Sequence, residues 1–221
     1  HTIKYLNKNN SNNDLLLYSL ESRALAYYWM AATENDLDLD YTISLKKSNK
    51  DYKSLIEKGI FGEKIEFIDK FLNTDFLIGN YDDLIDNAKA IIQKYSKKLS
   101  SNELSDIYNS VGMTYWNINN NGKALENYKK ALDLNNSSEN YNQYAVALFE
   151  TGDNDNSLYY FNKSVELDPE NPTYYYNRGY YFYKIRDYDN AEKDFKKSEG
   201  LFEDFDLDNV QMFMKLSVKK N

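Results

Sequence analysis

The feature that most constrains this chain is a pattern recurring every 33 or 34 residues. Gly179, Ala191, Phe195 and Ser198 reappear 34 positions earlier as Ala145, Ser157, Phe161 and Ser164, and 33 positions before that as Gly112, Ala124, Tyr128 and Ala131. The two small residues of each set stay twelve apart: 112 and 124, 145 and 157, 179 and 191. A large aromatic stands four residues before the first small residue (Tyr108, Tyr141, Tyr175), and a large apolar side chain three after it (Tyr115, Leu148, Phe182). A polar turn then separates the two halves. Self-similarity at this period marks an architecture in which each unit buries its apolar face only by stacking on its neighbours.

Composition sets the element type. Two prolines and eight glycines in 221 residues disfavour a turn-dense β protein and suit long helices joined by short turns. Glycine inside a helix costs roughly 1 kcal/mol against alanine. Gly179, in the stretch YNRGYYFYKIRDYDNAEKDFKKS, therefore predicts a neighbouring helix that packs against the backbone there. The small residues let the two helices of a unit approach closely, and the aromatics fill the space beside that contact.

This order of large aromatic, small residue, large apolar residue, turn, then small, aromatic and small residues resembles the tetratricopeptide repeat, whose pattern is W-x2-L-G-x2-Y, then A-x3-F, then P. The first unit carries Tyr108, Gly112, Tyr115, the turn Asn119 to Gly122, Ala124, Tyr128 and Ala131. The second carries Tyr141, Ala145, Leu148, Ser157, Phe161, Ser164 and Pro169, and the third Tyr175, Gly179, Phe182, Ala191, Phe195 and Ser198. The resemblance implies an all-α fold, a right-handed α-solenoid of helical hairpins with clear units at 105–137, 138–171 and 172–205.

Upstream, GNYDDLIDNAKAII holds Gly79, Tyr81, Leu84, Ala88 and Ile91 at turn and second-helix spacing. Residues 65–104 thus read as a degenerate unit, departing where Asp75 occupies an aromatic's place. Residues 1–64 read as a helical N-terminal extension: a polar terminus over residues 1–12, a helix from Asp14 to Thr33, and two shorter helical stretches around DYTISLKK and KDYKSLIEKG. Downstream, Leu207, Val210, Phe213 or Met214 and Val218 share one side of a stretch at 206–221, expected to be a helix capping the last unit. The first residue is His rather than Met, which predicts an N-terminus trimmed from a longer chain.

Several chemistries find no residues. With no cysteine and a single histidine, His1, there is no Cys-His or Ser-His constellation and no thiolate metal site. Neither G-x-x-x-x-G-K-[ST] nor G-x-G-x-x-G occurs. Asp36, Asp38, Asp40 and Asp204, Asp206, Asp208 form D-x-D-x-D runs. A calcium loop needs glycine at its sixth place and glutamate at its twelfth, yet Tyr41 and Lys47, then Asn209 and Lys215, stand there. The Asn-x-Ser sequences at Asn136 and Asn162 carry little weight in an asparagine-rich chain. A net charge of −8 disfavours a nucleic-acid partner, and the apolar runs are too short or too interrupted for a membrane span. No cofactor is expected, and the compartment stays open between cytoplasm and a bacterial cell envelope.

What remains is surface. In tetratricopeptide proteins the first helix of every unit lines a concave face that takes peptide segments of other proteins. The resemblance places Asn109, Met113 and Trp116 there from the first unit, and Asn142, Gln143 and Phe149 from the second. The third adds Tyr176, Asn177, Tyr180 and Tyr183. The amides would bond a ligand backbone, and the aromatics would supply contact area at low entropy cost. Members that grip a chaperone's C-terminal carboxylate need cations at fixed first-helix places, and here those places offer none. The reading is a non-catalytic binding module preferring a neutral or basic segment, the alternatives being a self-assembling scaffold and a carboxylate-based enzyme.

Overall fold

The structure, a computed structural model, describes residues 20–31, 41–57 and 66–201. The expected capping helix, the polar terminus and both aspartate runs lie outside these residues. Among the described residues every regular element is an α-helix: α1 (20–31), α2 (Thr42–Glu57), α3 (Glu66–Ile78), α4 (Tyr81–Tyr95), α5 (Ser101–Asn117), α6 (Asn121–Leu134), α7 (Ser138–Glu150), α8 (Asn154–Leu167), α9 (Pro172–Lys184) and α10 (Tyr188–Leu201). The chain divides into two compact units, His1–Thr114 and Tyr115–Asn221.

In the second unit the hairpins close where the small residues predict. Ser157 Oγ donates to the Ala145 carbonyl at 2.9 Å, both residues fully buried, and Phe161 fills the space beside them. In the next hairpin a side chain at Gly179 would place its Cβ 3.0 Å from two ring carbons of Phe195 and 3.2 Å from the Asp194 Cβ. Glycine is there because α10 leaves no room for more.

The turns share one backbone device. Gly79, Asn119, Gly152 and Arg186 are all left-handed, at φ 83°, 58°, 90° and 68°. After each, the next N–H reaches back five residues: Asn80 to Asp75, Asn120 to Tyr115, Asp153 to Leu148 and Asp187 to Phe182, at 2.8 to 2.9 Å. This is the Schellman closure, which satisfies carbonyls a helix end would otherwise leave bare. The side chains of Asn120, Asp153 and Asp187 then cap the following helix by accepting from the N–H three residues on.

The N-terminal region holds a hairpin of the same construction. Ser48 Oγ donates to the Ala24 carbonyl at 2.8 Å, as Ser157 does to Ala145. Arg23 pairs with Asp51 through Nε–Oδ2 at 2.6 Å and Nη2–Oδ1 at 2.8 Å. Arg178 and Asp194 occupy the matching places beside Gly179 and Phe195 and pair in the same two-pronged way, at 2.7 and 2.8 Å. The two short stretches expected between residues 34 and 62 are instead one helix, α2. Its polar middle is no break, because Ser48 and Asp51 are buried against α1 rather than solvated.

The degenerate unit solves its packing differently. Leu72 and Leu84 stand where the other units have small residues, and Ala88 where they have an aromatic; all three are buried. Asp75, also buried, accepts from Asn49 Nδ2 on α2 and Asn87 Nδ2 on α4, both at 2.8 Å. Burial raises its pKa, and the two amides oppose that shift.

Candidate functional site

Asn109 and Met113 lie in the first compact unit; the other eight candidate residues lie in the second. In the second unit α7 and α9 are neighbouring first helices. Asn177 Nδ2 on α9 donates to Asn142 Oδ1 on α7 at 3.0 Å, and Tyr174 Oη lies 3.3 Å from Ser138 Oγ one turn earlier. Asn142 is only 4% exposed. It is therefore part of the joint between the two helices, which changes what an alanine there would report.

Phe149 is half-buried, edge-on to Tyr181 at 5.4 Å and to Tyr180 at 6.4 Å. Tyr180 carries Lys184 Nζ 5.3 Å above its ring. Tyr176 packs on Phe195 at 5.7 Å, and Tyr183 on Tyr188 at 6.0 Å, so both belong partly to the α9–α10 hairpin. Burial lifts the Tyr176 phenol above its ordinary pKa, and Tyr180 adds to the shift. Gln143 and Trp116 are half-buried, and Met113 is exposed.

The fourth residue after each hairpin's first small place, or after Leu72 in the degenerate unit, is aromatic throughout: Tyr28, Phe76, Trp116, Phe149 and Tyr183, all half-buried. Trp116, Phe149 and Tyr183 follow from the repeat register in the sequence; Tyr28 and Phe76 join them because Ala24 and Leu72 occupy the same first-helix place. In the first unit Asn73 Nδ2 donates to Tyr28 Oη at 2.9 Å, again joining neighbouring first helices, α3 and α1. Asp69, three residues before Leu72, is pushed up to about 6 by desolvation, although its surface is more than a third exposed, and then by the like charge of Asp106; Lys70 opposes the rise and Glu103 adds to it.

Among the described residues no group of three or more acidic or histidine side chains could hold a metal ion, and no helix is long and apolar enough to cross a membrane. Arg178 is committed to Asp194, to Asn162 Oδ1 at 2.9 Å and to the face of Tyr175. The arrangement offers hydrogen-bonding amides among aromatic side chains.

Residues 105–138 and 172–205 each match the family described as Tetratricopeptide repeat, and residues 146–185 the one described as TPR repeat. The chain carries tetratricopeptide repeats. Several solved structures resemble it in fold. MamA from Desulfovibrio magneticus RS-1 is 14% identical, covers 81% of this chain and 94% of its own, and superposes with a TM-score of 0.59. BtubC from P. vanneervenii is 12% identical, with 84% and 89% covered and a TM-score of 0.62. YrrB, described as a TPR protein with an unusual peptide-binding site, is 17% identical, with 93% and 97% covered and a TM-score of 0.58. No curated protein matches the sequence.

Proposed function

We propose that this chain is a non-catalytic protein-interaction module that takes a peptide segment of another protein along the inner faces of α7 and α9. The observation that carries this reading is the Asn142–Asn177 amide bond beside Phe149 and Tyr180. The bond uses one acceptor and one donor, leaving the Asn142 amino group and the Asn177 carbonyl oxygen to complement the C=O and N–H of a peptide unit. The repeats and the likeness to a TPR protein described as having a peptide-binding site support it.

Exposed Glu139 and Glu150 stand near the two ends of α7 in a chain of net charge −8, while Lys184 lies over Tyr180. A neutral or basic segment is favoured, since like charges oppose encounter. The test is to select binders from a displayed random-peptide library on the full chain and map them by hydrogen exchange. Protection on α7 and α9 is expected, with Glu150→Lys weakening basic peptides several-fold and Lys129→Ala with Lys196→Ala changing nothing. Protection confined to α6, α8 and α10 would replace this site with the outer surface.

A further inference from the structure

The exposed side of α2 carries its charge differently from the other second helices. Each of α4, α6, α8 and α10 holds a lysine to an acid one turn away: Lys89 to Asp86, Lys129 to Asp133, Lys163 to Glu166 and Lys196 to Glu192. The exposed residues of α2 are Ile43, Lys46, Lys47, Lys50, Lys53 and, at its last position, Glu57. Three pairs one turn apart are lysine with lysine: 46 with 50, 47 with 50, and 50 with 53. Like charges at this spacing oppose the helix that holds them. Asp51, the acid within the row, is buried and held by both prongs of Arg23, while Lys47 Nζ lies 5.2 Å from the centre of the Tyr27 ring. Among the described residues no acid is paired with Lys46, Lys50 or Lys53. A row of cations that weakens its own helix points to recognition, because local rules are broken mainly at functional sites.

We propose that this face of α2 docks an acidic segment of a partner protein, with a large apolar residue of that segment against Ile43. Ile43 is 58% exposed and stands one turn before Lys47 on the same face. From Ile43 to Lys53 the face runs about 15 Å, so carboxylates about one helical turn apart meet successive lysines. The occupant is a short segment because the whole chain, lysines included, has a net charge of −8. A bilayer or a duplex, being an extended anionic surface, also feels that surrounding negative charge and is repelled, whereas a short acidic segment meets only the lysines. The surface lies in the first compact unit and takes the charge opposite to that favoured along α7 and α9, so the inference is independent of the peptide reading there.

The test titrates a glutamate-rich peptide ending in leucine into the isotope-labelled full chain and follows amide resonances at low salt. Shifts centred on residues 43–53 are expected, fading as salt is raised. Lys46→Gln with Lys50→Gln should weaken binding about tenfold, while Lys89→Gln with Lys193→Gln, the same change in net charge, should leave it nearly unaltered. The α2 double variant should also melt no lower than the parent, since it relieves repulsion within the helix. A lower melting temperature would show that the lysines serve the fold and overturns the proposal, as do shifts that are absent or centred elsewhere. Tighter binding of phosphatidylserine vesicles or duplex DNA than of the peptide overturns the occupant. Shifts that appear only once Asp36, Asp38 and Asp40 are changed to asparagine assign the face to the chain's own acids, and overturn it likewise.

Discussion

Arg178 holds Asp194 by two parallel hydrogen bonds, Nε to Oδ2 at 2.7 Å and Nη2 to Oδ1 at 2.8 Å, binding α9 to α10. The side chains are 18% and 9% exposed. Removing the arginine leaves a carboxylate with little water to replace it. Arg178→Met should cost about 3 to 5 kcal/mol, whereas Arg178→Met with Asp194→Leu should cost much less, because a buried pair replaced by apolar groups is often near neutral. Urea denaturation of the two variants separates these outcomes, and equal losses would mean that the pair acts through packing alone.

Gly179 and Gly122 should respond in opposite directions to a side chain. Both lie in helices, but a Cβ at Gly179 meets Phe195 at 3.0 Å, while nothing lies within 4 Å of one at Gly122. Gly122→Ala should gain about 0.5 to 1 kcal/mol from helix propensity. Gly179→Leu should lose about 1 to 3 kcal/mol through overpacking. Thermal melts would expose an error if both variants moved the same way.

The left-handed turn position gives a second opposed pair. Arg186 adopts φ 68° where Gly152, one unit earlier, adopts 90°. A side chain in that region costs roughly 1 to 2 kcal/mol. Gly152→Ala should therefore destabilise by about that amount, and Arg186→Gly should stabilise, by less, because glycine also loosens the unfolded chain. A lowered melting temperature for Arg186→Gly would show that its side chain contributes more than its backbone costs.

Asp69 sets an expected pH dependence. Its folded pKa of about 6 lies above the ordinary carboxylate value, through partial desolvation of an exposed residue and the like charge of Asp106. A raised folded pKa means a contribution to stability that is complete below the unfolded value and is lost as pH rises through 6. Between about pH 4 and 6 this group should make stability fall with rising pH, and Asp69→Asn should remove that part of the slope. Carboxyl resonance titration of Asp69 gives the midpoint directly, and an ordinary value near 4 would remove the basis for the slope.

The repeat register was legible because small residues and aromatics recur at fixed places, so Gly179 alone announced the helix that packs on it. The α1–α2 hairpin was not legible, since its matching residues, Ala24 and Ser48, are 24 positions apart rather than twelve. A comparison at constant period passes over them. The sequence led to the expectation that Asn142 is an inner-face amide, but its bond to Asn177 was not legible, because Gln143, rather than Asn142, is the residue in step with Asn177. Asp75 looked like a defect because sequence shows an acid in an apolar place and says nothing of the two distant amides that receive it.

The exchange of bulk in the degenerate unit has a practical consequence for protein engineering. Leu72, Leu84 and Ala88 place the large groups where sister units have small ones and the small group where they have a ring. Volume at this junction is a shared quantity, held by three positions jointly. Regularising any one of them toward its sisters should therefore fail: an aromatic at 88 meets two leucines, and an alanine at 72 or 84 opens a hole with no ring to fill it. A combinatorial library at these three positions should yield folded members concentrated at two distant corners, with a barren stretch of single changes between them.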